Sequence, residues 1–213
     1  LGNDHNILND YKVVIIAEPQ TEFSESDKYI LDQYIMRGGR VIWLIDGVAT
    51  NGEVGKPNDL GLTDQLFTYG VRIQPMMLLD VQCGTVPINT SLEGQTPNFV
   101  PMPWYYSPLL MPMPTHAITR NIAPVKAEFS SYIEKVGEND SINKGTVLLC
   151  SSSKTALEKA PMALRADIVN LSPESPYFTY SYMPVAVLLE GKFKSVYANR
   201  LAPENIVTGG LKP

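Results

Sequence analysis

Side chains able to exchange protons, attack carbon or hold a metal are few in this chain of 213 residues. With 2 His and 2 Cys, a four-ligand His/Cys zinc cage would need all of them at one point. His5 lies in a terminus expected to fray. His116 lies in Pro114-Thr115-His116-Ala117-Ile118-Thr119 and reads as a turn residue, not a general base. Cys83 and Cys150 each border an apolar stretch, and neither occupies a glycine-flanked elbow. They read as buried thiols, and a disulfide would need both an oxidising compartment and suitable geometry. Ser151-Ser152-Ser153-Lys154 matches S-x-x-K, but no K-T-G follows, so a polar strand-to-loop junction is expected. Met102, Met111 and Met113 could offer thioethers to copper, and equally could fill gaps beneath irregular loops. No metal site is expected.

Carboxylates and aromatics are the better candidates. Glu18 and Gln20 follow an apolar run and Asp46 follows another, where strands that end together would present them as a group. A dinucleotide site would need G-x-G-x-x-G after the first run. That position reads Ala17-Glu18-Pro19-Gln20-Thr21-Glu22-Phe23, without glycine and with acids that repel phosphate, so no nucleotide cofactor is expected. Trp104 and Tyr105, followed by Tyr106, could form a glycan or peptide platform, or could anchor their segment onto a sheet.

The elements that position these residues start with Val13-Val14-Ile15-Ile16-Ala17, whose β-branched run predicts a strand buried on both faces. Ser24 is suited to cap a helix, with Glu25 and Asp27 in the first turn where the dipole favours acids. Ile30, Leu31, Tyr34 and Ile35 share one helical face, and Gly38-Gly39 supplies the stop. Val41-Ile42-Trp43-Leu44-Ile45 is then a second buried strand, parallel to the first through a right-handed crossover. Residues 47–59 read as a polar loop, Thr63–Tyr69 as a short helix closed by Gly70, and Val71–Ile73 as a short strand. Extended segments are expected at Met76–Leu79 and Val81–Ile88.

Six prolines then crowd Asn89–Thr115, which predicts an extended excursion and neither a helix nor an inner strand. Later strands are expected at Lys126–Tyr132, Thr146–Ser151, Ala163–Val169, Val185–Glu190 and Ser195–Ala198.

The length suits one α/β domain over residues 1–213. Lys+Arg 17 against Asp+Glu 22 gives a net charge of -5, which argues against a nucleic-acid surface. No apolar run approaches the roughly 20 residues needed to span a bilayer. Leu1 in place of an initiator Met, followed by polar residues, reads as the start of a processed or excised fragment.

Tyr11–Pro19, Phe23–Trp43, Gly70–Ile73, His116–Thr119 and Pro184–Phe193 resemble the soluble domain of the gliding-motility-associated ABC transporter auxiliary proteins, the GldG group. That resemblance implies a flavodoxin-like, class I glutamine amidotransferase-like sandwich with a largely parallel central sheet. It also implies a periplasmic location, tethering to the inner membrane by helices outside this sequence, and ABC permease and ATPase subunits as partners. The Cys-His-Glu set of true amidotransferases finds no counterpart here. The expectation is a non-catalytic, substrate-binding auxiliary domain whose glycan or peptide ligand meets Glu18, Gln20, Asp46, Trp104 and Tyr105. The alternative is a hydrolase that uses carboxylates on the same scaffold.

Overall fold

The computed structural model describes residues 1–2, 4–137, 143–204 and 206. In chain order its elements are β1 (Val13–Ala17), α1 (Glu25–Met36), β2 (Arg40–Leu44), β3 (Val48–Thr50), β4 (Val54–Pro57), α2 (Thr63–Tyr69) and β5 (Val71–Asp80). There follow β6 (Cys83–Asn89), β7 (Phe99–Pro112), β8 (Val125–Lys126), β9 (Ser131–Lys135), β10 (Asn143–Cys150) and β11 (Thr155–Lys159). The last are β12 (Met162–Ala163), a 3-10 turn (Ala166–Asn170) and β13 (Pro184–Gly191).

The first unit forms as its sequence predicts. Ser24 caps α1, its Oγ accepting from the Asp27 backbone N–H at 3.1 Å and donating to the Asp27 carboxylate at 2.7 Å. Gly38 ends the helix at φ +91°, a left-handed conformation open to glycine without strain. β2 returns parallel to β1, Val13 opposite Arg40 and Ala17 opposite Leu44. Tyr29, Ile30, Leu31 and Tyr34 of α1 pack on Val14, Ile16, Val41 and Trp43. Each fully buried aliphatic side chain there stabilises the fold by about 1.5–3 kcal/mol. The expected burial on both faces does not occur. Exposure alternates along β1 and β2, because the single helix covers one side of the pair.

Beyond β2 the architecture departs from the expected flavodoxin-like, amidotransferase-like sandwich. Of the nine strand pairings among the described residues, β1 with β2 alone is parallel. The rest form antiparallel sheets, one of them curled into a half-barrel. The reason is connection length. A parallel return needs a crossover of a dozen or more residues, while the paired strands β3 and β4 are joined by residues 51–53 alone and β6 and β7 by residues 90–98. Short links of that kind force neighbouring strands to reverse direction.

Several local expectations change with it. Residues 47–59 contain the β3–β4 hairpin, to which β12 adds in the order β12-β4-β3. Val71–Ile73 and Met76–Leu79 merge into β5, the centre of the sheet β11-β5-β9. Ala163–Val169 is mostly a 3-10 turn, and Ser195–Ala198 is not a strand.

The proline-rich excursion is the largest surprise. It holds β7, an inner strand between β6 and β10 in the order β13-β10-β7-β6. Pro101 and Pro103 stand opposite Pro87 and Thr85 of β6, while β10 and β8 join β7 only at residues 109–112. Prolines two apart lack N–H groups on the same side of a strand, so the intervening residues carry the ladder.

Two further apolar clusters complete the core. Val48, Met77, Leu79, Tyr105, Tyr106, Ala156, Ile168 and Phe178 fill the antiparallel body. Leu60, Leu62, Leu66 and Val71 meet Trp43, Ile45, Val187 and Leu189 where that body joins the first unit. Asp32 of α1 is fully buried at this junction. Its carboxylate accepts from the Tyr69 hydroxyl of α2 at 2.8 Å, the Ser195 hydroxyl at 2.6 Å and the Val196 N–H at 3.1 Å. Asp32→Ala strands the buried Tyr69 hydroxyl and the half-buried Ser195 and Val196 donors, and is expected to cost about 3 kcal/mol in urea unfolding. Backbone hydrogen exchange over residues 195–197 should accelerate with it.

Candidate functional site

At the carboxyl end of β2 the chain turns through Ile45, Asp46 and Gly47, and these residues form one wall of a cleft of about 240 Å³. Pro57, Asn58, Asp59 and Leu60 supply a second wall, Leu62, Thr63 and Leu66 a third, and Arg72, Ile73 and Pro75 of β5 the fourth. Hydrogen bonds hold the first two walls together. The Asn58 amide donates to the Asp46 carbonyl at 2.9 Å, and the Asn58 backbone N–H donates to the Gly47 carbonyl at 3.1 Å. Gly47 is required by close approach, since a Cβ there would lie 2.6 Å from the Gln74 carbonyl and 2.8 Å from Ser131 Oγ. Arg72 also belongs to the lining, and its guanidinium lies 5.1 Å over the Phe67 ring and pairs with Glu134 at 3.4 Å. The cleft lining thus combines an anion, a cation and aliphatic side chains.

Asp46 is half-buried, and among the described residues its carboxylate makes no hydrogen bond or ion pair. Burial pushes its carboxyl up from the ordinary value, and the neighbouring Glu18 charge adds to the shift. Glu18 sits at the end of β1 at φ +48°, exposed, with the Gln20 amide donating to its backbone carbonyl at 3.1 Å. The structure therefore brings Glu18, Gln20 and Asp46 to the same end of the parallel pair, and Asp46 alone of the three lines the cleft.

Trp104 and Tyr105 lie elsewhere. Both belong to β7, and neither lines this cleft. Tyr105 is fully buried, its hydroxyl donating to the Leu171 carbonyl at 2.7 Å and its ring meeting Phe178 edge-on at 5.0 Å. Trp104 packs edge-on against Tyr106 at 5.1 Å. Sequence reading overlooked Asn58, Asp59 and Arg72. The turn signal Pro57-Asn58-Asp59 was available, whereas nothing in a short apolar strand marks Arg72 as facing Asp46's side of the molecule.

The remaining chemical motifs settle into structural positions. His5 is buried, not frayed. His116 Nδ1 accepts from the Ile118 N–H at 3.2 Å within a turn. Lys154 pairs with Glu174 at 2.6 Å, while Ser151 is buried, its Oγ lying 2.7 Å from Thr155 Oγ1 and accepting from the Met183 N–H at 2.9 Å. The S-x-x-K residues therefore do not meet. Both cysteines are free thiols, and burial pushes Cys83 up to about 11 and raises Cys150 as well. Neither is primed as a nucleophile at neutral pH. No group of three or more His, Cys, Asp or Glu placed to hold a metal occurs among the described residues. No helix among them is long and apolar enough to cross a membrane.

Comparison with known proteins gives one match. The family described as an ABC-type uncharacterized transport system matches residues 1–212. No curated protein and no solved structure matches the chain.

The raised Asp46 carboxyl has a definite pH consequence. The folded protein holds this proton to higher pH than the unfolded chain does, so stability is lost as pH rises from the ordinary 3.8 through the raised value. Asp46→Asn removes the penalty. The variant should melt above the wild type at pH 7, and the difference should vanish below pH 3.8, in thermal unfolding followed across pH.

Proposed function

The chain belongs to the ABC-type uncharacterized transport system family, and on that premise we propose that it is the ligand-recognising accessory domain of an ABC transport complex. The family assignment carries a non-catalytic accessory role within such a system. The observation that carries ligand recognition is the cleft at the carboxyl ends of β1 and β2. Its lining includes Asp46 and Arg72 together with Ile45, Leu60, Leu62 and Ile73. Apolar walls with a few converging polar groups are the usual construction of a small-molecule site. A volume of about 240 Å³ admits one sugar ring or one peptide side chain, with the remainder of a longer ligand outside. A glycan or a peptide is accordingly the proposed ligand class. Glu18 and Gln20 would meet the part of it that extends along the end of β1.

In this reading the domain works on the periplasmic side of the inner membrane, held by membrane helices outside this sequence, beside ABC permease and ATPase subunits. Gliding machinery is the proposed setting, on the resemblance noted above. A carboxylate-based hydrolase has one observation in its favour, the action of the Glu18 charge on Asp46. Against it, Glu18 is exposed to solvent and lies outside the cleft lining.

A thermal-shift screen with oligosaccharides and short peptides tests the proposal. A true ligand at about a hundred times its Kd should raise the melting temperature by roughly 5 °C. Thr63→Tyr, which fills the mouth from an exposed position, should abolish the shift without lowering the unliganded midpoint. If no compound shifts the wild type while the permease still co-purifies with it, the domain is a scaffold. Turnover of a bound ligand that Asp46→Asn eliminates would establish the hydrolase.

A further inference from the structure

Parallel sheets are built with both faces covered, because their strands are apolar throughout. Here α1 covers Val14, Ile16, Val41 and Trp43 on one side. On the other, Val13, Ile15, Ile42 and Leu44 remain 42%, 62%, 46% and 55% exposed. Tyr11, at the foot of β1, is exposed beside them. Together they make an apolar patch of roughly 500 Å², among the largest that a monomer leaves open and of the kind that usually binds something.

The ends of this patch carry opposite charge. Lys12 and Arg40 stand at the amino ends of the two strands, and Glu18 and Asp46 just past the carboxyl ends. None of the four has an ion-pair partner among the described residues. A face that is basic at one end, aliphatic in the middle and acidic at the other is complementary to itself when turned end for end.

We propose that a second copy of this chain covers this face, its β1–β2 sheet packed across a two-fold axis perpendicular to the strands. The strands of the two copies then run in opposite directions, and the basic end of each lies over the acidic end of the other. Lys12 of one copy then faces Glu18 of its partner at the ends of β1, Arg40 faces Asp46 at the ends of β2, and Ile15 and Ile42 pack at the centre, with the sheets about 10 Å apart. A two-fold axis along the strands would instead set like charges together, which Coulomb repulsion disfavours. The interface is isologous, as closed dimers require. Two such patches bury roughly 1,000 Å² in total, the low end for a specific interface and the range of weak, reversible association.

Sedimentation velocity on the intact chain over a concentration series reaching about 200 μM tests this. A reversible dimer is expected. Ile15→Lys should leave only monomer, with unchanged far-UV circular dichroism because the residue faces solvent in the single chain. Lys12→Glu and Glu18→Lys should each weaken association roughly tenfold, and the two combined should restore it. A wild type that stays monomeric throughout overturns the proposal, as does a dimer that Ile15→Lys leaves intact. A charge-swapped pair that associates no better than either single variant overturns the antiparallel arrangement.

Discussion

The Asp32 carboxylate is the contact on which the arrangement of the molecule rests. Placing an acid at full burial in the middle of α1 is costly unless its lone pairs are occupied. Here Tyr69 from α2, Ser195 and Val196 from the C-terminal segment, and Gln33 beside it all donate to it. The helix that covers β1 and β2 is thereby joined to the helix that leads into β5. The cleft draws its lining from both parts, from the end of β2 and from α2 and β5. Aromatic packing reinforces the join, with Tyr29 meeting Tyr197 edge-on at 5.1 Å and Tyr69 meeting Phe193 at 5.7 Å.

A second buried acid organises the antiparallel body in the same manner. Asp80, at the end of β5, accepts from the Gln82 N–H at 2.7 Å, the Ser152 N–H at 2.7 Å and Thr155 Oγ1 at 3.0 Å. It ties the turn into β6 to the serine-rich link between β10 and β11. The serines that suggested enzyme chemistry in one dimension are therefore spent on folding. The aromatic run has a similar fate, since Tyr105 and Tyr106 are fully buried. The Tyr106 hydroxyl donates to Glu158 at 3.2 Å, and Tyr177 donates to the same carboxylate. The cleft beside Asp46, by contrast, keeps its polar groups open to solvent.

Legibility in the sequence followed the range of the forces involved. Ser24, the acids of the first helical turn and Gly38-Gly39 act within a few residues of one another, and the β1–α1–β2 unit formed where they placed it. The helix at Thr63–Tyr69 with its Gly70 stop was readable for the same reason. The character of β7 was not readable. Proline density argues against an inner strand on average, but the outcome depends on which side of the strand each missing N–H falls and where the neighbouring strands begin. Those are properties of pairing between distant segments. Burial of β1 and β2 was misread on similar grounds. A β-branched run records that a strand is apolar, and only the number of helices packed on it says whether both faces are covered.

By itself the sequence determined the first supersecondary unit, the absence of a nucleotide fingerprint, and the grouping of Glu18, Gln20 and Asp46 at strand ends. Each of those depends on local conformation and spacing along the chain. Only the tertiary structure decided that the sheets are mostly antiparallel, that Trp104 and Tyr105 belong to the core, and that Asn58 and Arg72 share a cleft with Asp46. The physical reason is that strand partners and pocket walls are chosen by contacts between residues far apart in sequence. Their free energies depend on burial and register, neither of which is written in any single segment.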